Sequence, residues 1–153
     1  MLLNPENFTE QAQQALTGSQ QLVQHYQHSQ WDVEHVLLAL LQLEKGLPGE
    51  ILQHLGVPIE SVIGQLRESL ERSPKVSSEA GQIYATPRSA RLLDNARLES
   101  ERLNDEFIGT EHLLIGATME EHGSAATILK SHGVDKEKVY QALMQIRGSH
   151  RVT

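Results

Sequence analysis

Trp31-Asp32-Val33-Glu34-His35-Val36-Leu37 and Ile108-Gly109-Thr110-Glu111-His112-Leu113-Leu114 stand 77 residues apart and share glutamate, histidine and closing leucine in register. Extending the comparison without a gap pairs Thr9 with Thr86, Leu16 with Leu93, Glu44 with Glu121 and Gly46 with Gly123. It also pairs Ile51-Leu52 with Ile128-Leu129, Gly56-Val57 with Gly133-Val134, and Glu60, Val62 and Leu66 with Glu137, Val139 and Leu143. About 14 identities fall within about 63 aligned positions, concentrated at apolar, glycine and cap positions. The chain therefore carries two copies of one unit. Two copies are too few for an extended solenoid, so the expectation is a pseudo-twofold globule.

Each copy reads as four helices. Phe8, Ala12, Ala15, Leu16, Ser19, Val23 and Tyr26 recur at helical spacing behind Thr9 as N-cap, and Thr86-Pro87 repeats that start with a proline at the first helical position. A second helix, from about 33 to 44 and again from about 111 to 121, is apolar almost all round in the first copy and should form its buried centre. A short third helix carries Ile51-Leu52 or Ile128-Leu129 and closes at Gly56 or Gly133, where a left-handed residue is expected. Pro58 opens the fourth helix, and no stretch alternates with period two. The expected fold is all-α: two pseudo-twofold-related four-helix repeats, about 8–72 and 86–148, in one globular domain. Turn formers at 73–85 read as an exposed connector.

Composition narrows the function. The 153 residues are 39% hydrophobic, 22% charged and 4% aromatic, with a formal net charge of −7 and no cysteine. Thiol catalysis, disulfide frameworks and cysteine-ligated zinc are excluded. The longest apolar run, Val36 to Leu41, is far short of a membrane span, and the first residues match neither a secretory signal nor a transit peptide. A cytoplasmic location without membrane association is expected. Twenty acidic against 13 scattered basic residues would repel a phosphate backbone, so nucleic acid is not an expected partner.

Eight histidines invite a metal reading, but nothing matches His-Glu-x-x-His, and adjacent Glu and His point about 100° apart on a helix. Satisfied or surface histidines without a metal are expected. Trp31 faces Ile108 in the alignment, which points to packing, and no Gly-x-Ser-x-Gly elbow activates a serine. No Gly-x-x-x-x-Gly-Lys-Ser/Thr loop is present to cradle nucleotide phosphates. The expectation is a non-enzymatic domain with no cofactor of its own.

The repeated Glu-His helix start, the Phe-Thr and Thr-Pro-Arg openings and the Leu-Gly-Val and His-Gly-Val ends together resemble the double Clp-N repeat, the N-terminal domain of ClpB- and ClpC-type AAA-plus unfoldases. The similarity covers about residues 4 to 148, with 107–114 the most specific segment, and residues 149–153 look like the start of a linker to an ATPase module. The resemblance, most like the ClpB disaggregases, implies a domain that captures unfolded or aggregated polypeptide for an ATP-driven pore. ATP and Mg would then belong to the parent protein, a homohexamer, whereas the isolated domain would be a monomer. A second reading is a ClpC-type domain or stand-alone accessory subunit that binds adaptor proteins or phosphoarginine-marked substrates.

Residue by residue, the resemblance places substrate handling on Thr9, Asp105 and Glu111, and the phosphoarginine variant on Glu34 and Glu111. Asp105 faces His28 in the alignment and so breaks the internal symmetry. Plain structural roles compete: Thr9 fits an N-cap, and an acid in the first helical turn, such as Glu34 or Glu111, is stabilised by the helix dipole. The first copy has Asp32-Val33 before its glutamate where the fuller pattern has Gly-Thr, which places an extra acid near any bound phosphate. Unfolded clients are distinguished by exposed apolar surface, and a groove at the junction of the repeats would suit them. Leu92, Leu93 and Leu113 fit either such a groove or the core.

Overall fold

The cap residues set where the helices begin. In the computed structural model, which describes residues 4–76 and 82–150, Thr9 Oγ1 accepts the Ala12 N–H at 3.1 Å and opens α1 (Glu10–His25). Thr86 does the same for Ser89 at 3.1 Å and opens α5 (Pro87–Arg102). The first repeat continues with α2 (Val33–Gln42), α3 (Leu47–His54) and α4 (Ile59–Arg72), and the second with α6 (Thr110–Thr118), α7 (Ser124–Ser131) and α8 (Lys136–His150). Gly56 and Gly133 close α3 and α7 at φ +75° and +72°, the left-handed conformation expected of them.

Histidine completes the cap of each second helix. The Asp32 N–H donates to His35 Nδ1 at 3.0 Å and the Gly109 N–H to His112 Nδ1 at 2.8 Å, so the repeated Glu-His pair carries a cap on its histidine. Helix α2 is buried at every residue from Val33 to Leu41, as its apolar circumference requires. Both second helices end earlier than the sequence suggests. Leu43 turns extended after α2 with Lys45 left-handed at φ 57°, and α6 gives way at Met119.

Two short strands escape the sequence reading. β1 (Gln30–Trp31) pairs in parallel with β2 (Tyr84–Ala85), Trp31 opposite Ala85, and an isolated parallel bridge joins Phe8 to Ile108. These pairings are images of one another under the 77-residue offset, so the segment before each first helix lies against the segment before the other repeat's second helix. The same reciprocity packs α3 on α8 and α4 on α7, with α2 against α6 at the centre. Neither repeat satisfies its own edge groups alone, which joins the two into one domain. Two-residue strands are too short to show a period of two.

The connector expected over 73–85 has no buried residue among those described, yet both of its ends are pinned. The Val76 N–H donates to the Gln27 carbonyl at 2.8 Å, Ile83 packs against the core and Tyr84–Ala85 form β2. Residues 77–81 lie outside the described residues. At the far end the backbone of α8 runs to His150, past the expected boundary at 148, and residues 151–153 of the expected linker also lie outside the description. Leu92, Leu93 and Leu113 are all core, at 0%, 7% and 0% exposure. Gly116 allows α5 and α6 to touch, since a Cβ there would stand 2.6 Å from the Leu92 carbonyl oxygen. Trp31 is buried, with its indole N–H on Ser19 Oγ at 2.7 Å.

Candidate functional site at the junction of the repeats

Both first helices end in a left-handed residue, Gln27 at φ 58° and its equivalent Asn104 at φ 59°. The chain then folds back, with the His28 N–H on the Val23 carbonyl at 2.9 Å and the Asp105 N–H on the Ser100 carbonyl at 2.8 Å. One backbone device therefore delivers His28 and Asp105 to equivalent places, each beside the capping histidine of its repeat.

The chemistry at those two places differs. In the second repeat Asp105 Oδ2 takes the His112 Nε2 donor at 2.7 Å and Arg147 Nη2 at 2.8 Å, and Arg147 Nη2 also reaches Glu111 Oε2 at 3.1 Å. Burial alone would raise the Asp105 carboxyl, but the hydrogen bonds from Arg147 and His112 hold it below the ordinary carboxylate range. Burial would lower Arg147; the two carboxylates outweigh it and raise the guanidinium further. In the first repeat His28 Nδ1 meets His35 Nε2 at 2.9 Å and His28 Nε2 meets the Leu70 carbonyl at 3.0 Å. All four ring nitrogens of that pair have protein partners. Among the described residues no group of three or more His, Asp or Glu could hold a metal ion.

Thr9 joins this region through its backbone. Its N–H donates to the Ile108 carbonyl at 3.0 Å and the Ile108 N–H to the Asn7 carbonyl at 2.8 Å, which seats the start of α1 beside the start of α6. Glu111 folds back over that start: a Cβ on Gly109 would overlap its Oε1. Phe107, between Asp105 and Ile108 in the chain, is 45% exposed. A recess of about 170 Å³ lies between Pro5, Phe8 and Leu16, and Phe8 is bridged to Ile108. Thr9, Asp105 and Glu111 are thus gathered around the 105–111 segment.

Glu34 belongs to a separate cluster. Its Oε2 accepts the Ala125 N–H of α7 at 2.9 Å and its Oε1 meets Arg88 Nη2 at 3.1 Å. Arg88 also holds Asp32 Oδ2 at 2.7 Å and the His122 carbonyl at 2.6 Å, and Asp32 Oδ1 takes the Thr86 hydroxyl at 2.8 Å. Burial lowers Arg88, but its hydrogen bonds to Asp32 and Glu34 raise it overall. Glu34 therefore ties the first repeat's central helix to two helices of the second. A groove of about 700 Å³, bounded by Leu41, Leu43, Val57, Pro58 and Ile59, lies wholly in the first repeat, away from the junction groove that pseudo-symmetry suggests.

Sequence reading missed Arg88, Arg147 and the capping histidines. The signal was present for the arginines: their repeat mates are Gln11 and Leu70, so both break the symmetry as Asp105 does.

The comparisons bear on the family and the fold. Residues 7–132 match the family described as the Clp repeat (R) N-terminal domain. The chain is 33% identical over 148 residues to Chaperone protein ClpB of Bacillus anthracis, an alignment covering 95% of this chain and 17% of that protein. The chain thus spans about one-sixth of the length of the curated relatives it matches. The fold resembles the Hsp104 N-terminal domain from Candida albicans, with a TM-score of 0.82 at 17% identity over 95% of this chain and 94% of that one. It also resembles the ClpV N-domain in its complex with a VipB peptide, at TM-score 0.69 and 17% identity over 88% and 82%. No described helix is long and apolar enough to cross a membrane. With the doubled unit, the reciprocal pairing of its halves and a family match across most of its length, the chain belongs to the Clp repeat N-terminal domain family.

Proposed function

We propose that this domain recognises client polypeptide for a Clp-type, ATP-driven unfoldase of the ClpB kind, taking unfolded or aggregated chains at the surface formed by Thr9, Asp105, Phe107 and Glu111. The observation that carries the reading is the exposed ring of Phe107, which the chain places between two partly exposed acids, Asp105 and Glu111. An apolar contact beside negative charge suits those segments of an unfolded chain that carry exposed apolar side chains next to basic ones. The peptide held by the similarly folded ClpV N-domain supports a peptide-binding role for this architecture. Nucleotide, Mg and hexamer formation belong, in this reading, to parts of a parent protein outside these residues. Replacing Glu111 by Ala and Phe107 by Ser separately, at matched melting temperatures, tests it. Each should weaken binding of a permanently unfolded polypeptide measured by fluorescence anisotropy, and unchanged binding by both overturns it.

The phosphoarginine reading draws on one observation, that Glu34 and Glu111 each hold a guanidinium at 3.1 Å. These guanidiniums are the protein's own. At Glu34 a ligand would have to displace Arg88, which also holds Asp32 and the His122 carbonyl. Titration with free phosphoarginine separates the two readings: shifts at both glutamates favour the adaptor or phosphoarginine role.

A further inference from the structure

The first repeat shows what the fold itself needs at the end of its first helix. There the capping histidine is held by His28, and His28 by the Leu70 carbonyl, with no formal charge required. The second repeat meets the same need with Asp105 and adds two charges, Glu111 brought close and Arg147 standing where the first repeat has Leu70. Two carboxylates share one guanidinium, so a negative charge is left over there. Arg147 is the most exposed of the three, its side chain 34% accessible against 26% for Asp105 and 16% for Glu111. It stands near the end of α8, the last helix of the described chain.

We propose that Arg147 is a displaceable internal counter-ion that sets specificity at this site: a client's arginine or lysine takes its place on Asp105 and Glu111, and the last turn of α8 is released. The inference rests on the reading of the site given above and names the client chemistry that site selects. A client guanidinium or ammonium can replace Arg147 because a single nitrogen, Nη2, makes the charge-assisted hydrogen bonds to both carboxylates and the exchange conserves charge. Neutral or acidic segments gain only the Phe107 contact. Occupancy is thereby felt at the end of α8, because the group displaced is anchored there.

The test uses two short unstructured peptides, one of Leu, Ser and Arg and one with every Arg replaced by Gln, against the wild-type chain, Arg147→Gln and Arg147→Lys. Removing one like charge a few ångströms from the incoming cation should tighten binding of the Arg peptide to Arg147→Gln roughly fivefold, and increased salt should erode that gain. Arg147→Lys should bind like wild type, and the Gln peptide should show no gain with either variant. In the wild-type chain the Arg147 side-chain N–H resonance and the amides of 144–148 should shift with the Arg peptide and not with the Gln peptide, a readout independent of any variant's folding. Shifts at Phe107 and Glu111 with Arg147 unmoved and Arg147→Gln no tighter would overturn the inference and leave the site standing. No shift at Phe107 or Glu111 with either peptide would overturn the site itself.

Discussion

The histidine relay of the first repeat should make the domain acid-sensitive, and its hydrogen bonds fix the sign. The Asp32 N–H points at His35 Nδ1, so that nitrogen must be an acceptor and the His35 proton must sit on Nε2. It then donates to His28 Nδ1, and His28 Nε2–H donates to the Leu70 carbonyl. A second proton on either ring would face another donor. The charged groups around the pair are Asp32 at the start of α2, Glu71 on α4 and Lys75 beyond it, with Tyr26 stacked on His28 at 5.7 Å. Burial first, then the nearness of His28, push His35 from its ordinary 6.5 to about 4, and burial lowers His28 as well. A histidine held below its unfolded value stabilises the fold fully above about pH 6.5, and that stabilisation is lost as pH falls toward 4. For His35 the difference corresponds to about 3 kcal/mol. The assay is urea unfolding of wild type and His35→Gln at several values between pH 7.5 and pH 4. The variant should be clearly less stable at the top of the range, and the gap should close by about 3 kcal/mol at the bottom. Parallel curves would refute the relay. His28→Asp, which copies the second repeat without an arginine to balance it, should raise the His35 midpoint in a ring-proton titration.

Other substitutions probe the joints of the fold. Arg88→Met leaves Asp32 and Glu34 without their shared cation between the repeats and should cost about 3 kcal/mol in denaturant unfolding. Gly116→Ala puts a methyl against the Leu92 carbonyl and should lower stability by about 1–3 kcal/mol, whereas Gly64→Ala, with open space around it, should not. Ser19→Ala strands the buried Trp31 indole N–H and should cost about 1–3 kcal/mol, with a changed tryptophan emission. Thr9→Ala should cost about 1 kcal/mol through its cap, and Thr9→Ser should recover most of it.

The helical repeat was legible because its signals are local. Thr9 and Thr86 cap the helices they precede in the sequence, Gly56 and Gly133 turn where a left-handed residue is needed, and the apolar girdle of Val36 to Leu41 can only be buried. The pairing of Trp31 with Ala85 and of Phe8 with Ile108 was not legible, because two residues carry no periodicity and the partners lie in different repeats. Glu34 and Glu111 look equivalent in sequence. They differ in the structure because Arg88 reaches the first from the other repeat, while Arg147 reaches the second from its own. The absence of Arg88 and Arg147 from the repeat pattern was the available clue. Position alone could not say which carboxylate each would meet.

The central claim is that client polypeptide meets this domain around Thr9, Asp105, Phe107 and Glu111. Chemical-shift mapping of the labelled 153-residue chain with a permanently unfolded polypeptide tests it most directly. The account predicts shifts concentrated at residues 5–9 and 105–111 and at Arg147, weakened by Glu111→Ala. Shifts confined to the groove of Leu41, Leu43, Val57 and Ile59, or no shifts at high client concentration, would contradict it.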